Sequence, residues 1–201
     1  MTKNITLLSF LFLFATTIYT QKKETESVKK TTYTDSEDLR RQQKLLGIDT
    51  LYYVDSTFGY QVKIPKWLKI LDSGSEYAWG GTLPAVGGIE NAIIIKSYDK
   101  KEYKSLKAFR EFIVEDLKFG ETPSWSDSHQ FMGKKEIDDF NIIGKSYKVY
   151  MMRKKLIYHC CYLFCETNTA YLWIDFTATP ETYDKNFKKL KEFVAGFSIV
   201  K

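Results

Sequence analysis

The chain has 201 residues, of which 44% are hydrophobic and 27% are charged, and its formal net charge at pH 7 is +5. This is the composition of a globular protein, and it excludes a disordered, collagen-like or coiled-coil chain. The 30 basic and 25 acidic residues are mixed along the sequence, so no basic stripe predicts a nucleic-acid partner.

Residues 1–20 predict a secretory signal peptide. Lys3 gives a positively charged start, and Leu7 to Ala15 form a nearly continuous apolar stretch. The stretch is too short for an anchor helix, which needs roughly 20 apolar residues to span the bilayer. We expect cleavage near Thr20, which leaves a mature chain without a transmembrane segment, in the periplasm or outside the cell. An uncut N-terminal anchor helix is the alternative.

Residues 21–48 predict a flexible polar leader. Their charges are mixed and their apolar side chains are few, so they bury too little surface to offset the entropy lost on ordering. Within the leader, Glu37 to Leu46 has the length of a short helix whose leucines touch the domain. Residues 49–201 predict a single globular domain.

The domain opens with a predicted pair of strands. Phe58 to Ile64 alternates apolar and polar residues, which is the period of a half-buried strand. Leu51 to Val54 precedes it across a turn at Ser56-Thr57. Ala92 to Ser97 contains consecutive isoleucines and predicts a third strand, buried on both faces.

Two helices are predicted from apolar residues spaced three and four apart. The first begins at the cap Ser105 and ends at Gly120. The second begins at the cap Thr179, has Pro180 in its first turn, and ends at Gly196. Their apolar stripes are Leu106, Phe109, Phe112, Ile113 and Leu117 in the first, and Tyr183, Phe187, Leu190 and Val194 in the second. The apolar stripes of both helices require a sheet against which to pack.

The middle and end of the chain supply that sheet. His129 to Met132 and Tyr147 to Met151 predict half-buried strands, whereas Leu156 to Cys165 is apolar on both faces and predicts a central strand. Ala170 to Ala178 follows across a short turn, so consecutive strands pair antiparallel. A last strand, Phe197 to Val200, closes the domain. The predicted fold is α+β, an α/β/α sandwich in which helices pack on the faces of a largely antiparallel sheet.

The two ends of the domain resemble one known family. Phe58 to Trp67, a strand followed by Pro65-Lys66-Trp67, is similar to the start of PsbP-like superfamily proteins, and Phe187 to Val200 is similar to their end. The superfamily includes the extrinsic PsbP protein of photosystem II, a nuclear Ran-binding import factor and many exported bacterial proteins. The resemblance spans about residues 51–200. It implies an α/β/α sandwich without a shared catalytic site, and no functional residue of the family maps onto this chain.

A glycine-rich stretch predicts a loop that projects from the domain and binds a protein partner. Two glycine pairs flank an apolar tip, and the candidate residues are Trp79, Gly80, Gly81, Leu83, Pro84, Gly87 and Gly88. The glycines shape the loop, while Trp79, Leu83 and Pro84 are expected to contact the partner. Backbone N–H groups that hold an anion, or a connection folded back on the core, are the alternatives.

A second candidate site lies on the strand Ala170 to Ala178. Tyr171, Trp173 and Asp175 share one face of that strand. A carboxylate beside aromatic rings can bind a sugar or have a raised pKa, although a solvated strand residue is the plainer interpretation. A small-molecule-binding protein, or an enzyme with a pocket between sheet and helix, is therefore the alternative function.

The sequence predicts no catalytic residue, cofactor or metal. It lacks the Gly-x-Ser-x-Gly and His-Glu-x-x-His motifs. Cys160, Cys161 and Cys165 lie on one strand at spacings that do not suit a disulfide, so buried thiols are expected. His129 and His159 could join Cys161 in a metal site only if neighbouring strands brought them together. The leading functional prediction is therefore an exported, non-enzymatic domain that binds an unidentified protein partner in the cell envelope.

Overall fold

The computed structural model describes residues 41, 44–71, 75–140 and 144–200, together with the backbone of residues 17–19 and 31–32. Most of the predicted signal peptide, leader and short leader helix lies outside these described residues. The boundaries predicted at residues 20 and 48 therefore stay predictions.

The strands in chain order are β1 (Thr17–Tyr19), β2 (Thr31–Thr32), β3 (Tyr52–Asp55), β4 (Tyr60–Lys63), β5 (Lys69–Leu71), β6 (Ala78–Thr82), β7 (Ala92–Asp99), β8 (Gln130–Ile137), β9 (Ser146–Arg153), β10 (Leu156–Glu166), β11 (Ala170–Ala178) and β12 (Phe197–Ile199). The helices are α1 (Leu106–Arg110), which continues into a π-helical turn (Glu111–Glu115), and α2 (Pro180–Ala195). A short 3₁₀ turn (Lys100–Glu102) follows β7.

Within the described residues the strands form two antiparallel sheets. The larger has the order β5-β6-β7-β11-β10-β9-β8, and the smaller has the order β12-β4-β3-β1-β2. The helix α1 covers one face of the larger sheet, whereas α2 and the smaller sheet cover the other. The predicted α+β sandwich is confirmed. Because β1 lies inside the predicted signal peptide, cleavage near Thr20 would remove it from the small sheet.

The predicted alternation at the start of the domain is confirmed in β4 and its flanks. Phe58, Tyr60, Val62 and Ile64 are all buried, since successive side chains of a strand point to opposite faces. The turn before β4 is fixed by Asp55, whose carboxylate accepts the Phe58 N–H at 2.9 Å.

The strand β10 is central, as predicted, because β9 and β11 pair with its two edges. Its alternate side chains are buried on opposite faces of the sheet. Cys161, Leu163 and Cys165 pack towards α2, and Cys160, Tyr162 and Phe164 pack towards α1. A strand covered on both faces has no solvated side, which explains why its sequence is apolar throughout its buried length.

The first helix differs from its prediction. Ser105 caps it as expected, since its hydroxyl accepts the Ala108 N–H at 3.1 Å. The π-helical turn adds a residue per turn, so Val114 is buried and Phe112, predicted to widen the apolar stripe, is 39% exposed. The helix with its π-helical turn ends at Glu115, and Gly120, predicted to end it, lies in a later turn with φ +80°, where its N–H donates to Phe131 O at 2.7 Å.

The second helix begins and ends where the sequence predicts. Thr179 precedes it, although its hydroxyl contacts that of Thr182 at 3.0 Å and caps no backbone N–H. Tyr183, Leu190 and Val194 are buried, which confirms the predicted apolar stripe.

Candidate functional site

The predicted projecting loop is largely part of the core. Its first residues form the strand β6, and the Trp79 ring stacks on Tyr53 with centroids 4.3 Å apart and planes inclined by 7°. Trp79 and Leu83 are both buried, so neither side chain can reach a partner in this fold. This corrects the expectation that these two residues are surface contacts.

The glycine pairs of this stretch have different roles. A Cβ at Gly80 would lie 2.0 Å from Ile93 O, and one at Gly81 would lie 2.3 Å from Lys69 O, so neighbouring strands exclude any side chain there. Gly87 and Gly88 have φ values of +60° and +80° and form the two-residue turn that joins Val86 to Ile89. Pro84 and both turn glycines are exposed, so only this tip projects from the domain.

A cavity of about 230 Å³ lies on the α1 face of the large sheet, and we call it the aromatic pocket. The segment that connects the first helix to β8 forms one wall, and strands β7, β9, β10 and β11 form the others. Its lining residues are Lys96, Trp125, Ser126, His129, Met151, Tyr158, Cys160, Tyr162, Asp175 and Thr177.

An ion pair occupies one side of the aromatic pocket. Lys96 on β7 is directly opposite Trp173 on β11, so the lysine side chain crosses the indole ring. Its Nζ lies 3.8 Å from the Trp173 ring centroid and 2.9 Å from Oδ2 of Asp175. The ammonium therefore has a cation–π contact and a charged hydrogen bond at once.

The carboxylate is more buried than the ammonium that it binds. The Asp175 side chain is 13% exposed and the Lys96 side chain 31%. Asp175 Oδ1 accepts the Thr177 hydroxyl at 2.9 Å, so both carboxylate oxygens have donors. An ammonium has three N–H donors, and only one of them is directed to Asp175. Lys96 is therefore the group with hydrogen bonds left to offer to a ligand.

Trp125 forms the wall of the aromatic pocket opposite the sheet. Its indole N–H donates to Ile113 O at 3.1 Å, which ties the connecting segment to the first helix. Its ring meets that of Trp173 edge-on at 4.9 Å, and Tyr162 meets Trp173 in the same way at 4.7 Å. Edge-on contacts of this kind are favourable because the positive ring edge faces a negative ring face.

His129 lines the aromatic pocket with its imidazole ring. Burial lowers its pKa below the ordinary 6.5, and the positive charges of Arg153 and Lys96 lower it further. Its Nδ1 lies 2.7 Å from the Ser126 hydroxyl oxygen. In the described part of the chain no carboxylate hydrogen-bonds this imidazole, so the arrangement lacks the third member of a Ser–His–Asp system.

The cysteines are buried free thiols. Burial raises the pKa of Cys160, the cysteine at the aromatic pocket, to about 12. His159 lies beside Tyr183 on the α2 face, whereas His129 lies on the α1 face, so the sheet separates the two histidines considered for a metal site. Among the described residues no group of three or more His, Cys, Asp and Glu side chains could hold a metal ion.

The structure places two of the three residues of the predicted second site together. Trp173 and Asp175 both contact Lys96, but Tyr171 lies beneath the first helix, stacked on Phe109 with centroids 5.7 Å apart. Sequence reasoning missed Lys96, although a lysine that interrupts the apolar run of β7 was a usable signal. Nothing in the local sequence indicates Trp125, which reaches the sheet only through tertiary folding.

A larger open cleft of about 390 Å³ adjoins the aromatic pocket along β7. Lys96 borders both cavities, and the cleft also includes Tyr77, Tyr98, Asp99 and Glu102. Lys96 therefore lies at the boundary between the two cavities.

Comparison with known proteins finds similarity in fold only. No protein-family model and no curated protein matches the chain. A protein of unknown function from Pseudomonas aeruginosa is 14% identical with a TM-score of 0.43, over 71% of this chain and 92% of that one. Cyanobacterial PsbP from Synechocystis sp. PCC 6803 is 11% identical with a TM-score of 0.44, over 74% and 91%. A Bacteroides thetaiotaomicron protein is 12% identical with a TM-score of 0.43, over 75% and 48%.

Cyanobacterial PsbP, a member of the family that the sequence resembles, is thus among the solved structures to which this chain is similar. Among the described residues, no helix is long and apolar enough to cross a membrane.

Proposed function

We propose that this domain is a non-enzymatic binding protein and that the aromatic pocket holds a small molecule. The observation that carries the proposal is the Lys96–Asp175 ion pair, which is partly withdrawn from water between indole rings at an open cavity. Desolvating such a pair is costly, and its Coulomb attraction alone often fails to compensate. Ligand binding therefore explains why Lys96 and Asp175 lie at the aromatic pocket better than a contribution to the stability of the fold does.

The chemistry of the walls defines the class of ligand. Trp125, Tyr158 and Tyr162 offer ring faces and edges, and Lys96 offers unused N–H donors. The positive charge of Arg153 acts on the same region, as its effect on the pKa of His129 indicates. A small, flat ring that carries a carboxylate meets both requirements, because the ring packs on the aromatic wall and the carboxylate pairs with Lys96.

Binding is favoured over catalysis because the reactive groups are not activated. The thiol of Cys160 is held protonated by burial, and the imidazole of His129 contacts local serine hydroxyls without an orienting carboxylate. Neither group has the neighbours that a nucleophile or its general base requires.

Ligand-observed NMR with three probes tests the proposal. Indole-3-acetate should bind, whereas indole alone and acetate alone should bind at least tenfold more weakly, since each lacks one of the two interactions. Trp125→Ala should abolish indole-3-acetate binding. Trp67→Ala is the matched control, because Trp67 hydrogen-bonds Glu192 on α2, remote from the pocket. Equal binding of the acid and of indole would refute the role of Lys96, and unchanged binding by Trp125→Ala would refute the site.

We also propose that the chain is exported, with the signal peptide cut near Thr20. The support is the charged start and the short apolar stretch of residues 1–20. Mass spectrometry of the protein recovered from the secreting cell should find a mature N-terminus within a few residues of Gln21. Recovery of the chain with Met1 or Thr2 at its start would refute export by this route.

Protein-partner binding at the exposed tip is a second candidate. Ile89 is a partly exposed aliphatic residue beside the Gly87-Gly88 turn, and Pro84 is exposed next to it. An Ile89→Asp variant leaves the buried Trp79 and Leu83 in place, so it tests the tip without disturbing the core. Unchanged recovery of crosslinked partners from the native envelope would remove the tip from consideration.

A further inference from the structure

The turn between β9 and β10 has an unusual sequence for its backbone. Lys154 and Lys155 have φ values of +49° and +64°, and they are the non-glycine residues with positive φ in the described part of the chain. A two-residue hairpin turn with positive φ at both positions strongly prefers Asn-Gly or Gly-Gly, because side chains with a Cβ are disfavoured there. Two lysines therefore occupy this turn at a cost in stability.

The residues beside the turn make it both basic and apolar. We call residues 153–157 the basic hairpin tip. Arg153 precedes the two lysines, and Leu156 and Ile157 follow them. Leu156 is 61% exposed and Ile157 is 47% exposed. Within the described residues none of the three basic side chains makes an ion pair.

The two exposed aliphatic residues point in opposite directions. They are consecutive in β10, so Leu156 lies on the α1 face of the sheet and Ile157 on the α2 face. A flat protein surface can cover only one face of a hairpin tip. A fluid lipid layer can surround both faces, and the long side chains of the two turn lysines can extend back to its anionic headgroups while Leu156 and Ile157 contact the acyl chains.

We propose that the basic hairpin tip docks the domain on an anionic lipid surface, with Leu156 and Ile157 inserted among the acyl chains. The lysines supply the long-range attraction, and the aliphatic pair supplies the short-range insertion. Asp175 and Asp127 are the acidic groups whose charges act on nearby His129, and Asp127 on the neighbouring segment opposes the attraction only in part because three basic residues form the tip. The proposal is independent of the aromatic pocket and of the ligand proposed for it.

Vesicle co-sedimentation of the full chain tests the attraction. Wild type should bind vesicles of equal parts phosphatidylglycerol and phosphatidylcholine, and binding should weaken in high salt. The double variant Lys154→Asn/Lys155→Gly should bind roughly thirty-fold more weakly, from about 1 kcal/mol per lysine at an anionic surface. The same variant relaxes the turn and should unfold at a higher temperature, so weaker binding cannot reflect a damaged fold. Binding that is unaffected by the variant would overturn the proposal.

Insertion of the tip needs a separate measurement. The apolar residues 7–15 are present in every variant and can bind vesicles themselves, so co-sedimentation alone does not show which segment enters the lipid. A tryptophan placed by Leu156→Trp should be quenched by brominated acyl chains. Glu166→Trp is the matched control, since Glu166 is at the opposite end of β10, roughly 30 Å away. Leu156→Ser/Ile157→Ser should weaken vesicle binding at unchanged charge. Equal quenching at both positions, or vesicle binding by the serine variant as strong as that of wild type, would overturn lipid docking.

Discussion

Removing the charge of Lys96 should destabilise the domain more than removing the charge of Asp175. Lys96→Met keeps the side-chain stem but leaves the more buried carboxylate without its cation, and it also removes the contact with Trp173. Asp175→Asn leaves an ammonium that is 31% exposed and can be hydrated, and the amide can still accept from Thr177.

The expected magnitudes follow from the burial of the pair. Exposed ion pairs contribute about 0.2–1 kcal/mol, whereas breaking a fully buried pair costs about 3–5 kcal/mol. For this intermediate case we expect about 3 kcal/mol for Lys96→Met and about 1.5 kcal/mol for Asp175→Asn. The double variant should cost about 3 kcal/mol, which corresponds to a coupling energy of about 1.5 kcal/mol.

Urea unfolding of the four proteins, followed by circular dichroism, measures these free energies. The Lys145–Glu136 pair is the matched control, because its side chains are 49% and 50% exposed and its N–O distance is 3.3 Å. Its coupling energy should stay below about 0.5 kcal/mol. A Lys96–Asp175 coupling no larger than that of the control would refute the argument that the pocket holds a partly desolvated pair.

Three other results are expected. Gly80→Ala should destabilise the domain by at least about 3 kcal/mol, because its Cβ would overlap Ile93 O, whereas Gly87→Ala, which has open space and only a positive φ, should cost about 1 kcal/mol in the same unfolding assay. The pKa of His129 is lowered in the folded state, so near and below the ordinary pKa of 6.5 the folded state binds fewer protons than the unfolded state. The free energy of unfolding should therefore fall as the pH falls from about 7.5 to about 5.5. His129→Gln should make that pH dependence shallower in thermal melts. The three buried cysteines should resist a thiol reagent at about pH 8 in the native protein and react fully in guanidinium; rapid native labelling would contradict their burial.

The sequence alone determined the elements whose pattern is local. Alternation in β4, the two-sided apolar run of β10 and the stripe of α2 each depend on residues a few positions apart, and the structure confirms them. The α+β class follows from those elements, because apolar faces of this number and order can be covered only by layering helices on a sheet.

The tertiary structure decided what the glycine-rich stretch and the candidate site are. The sequence predicts a loop at Gly80 and Gly81, but both residues lie in the strand β6. Glycine is required there because the neighbouring backbones approach too closely for a side chain, and no local sequence pattern indicates that approach. The aromatic pocket likewise joins Lys96, Trp125 and Asp175 from distant parts of the chain. Strand register and the path of the segment after the first helix bring these side chains together, and both are set by the packing of the whole domain.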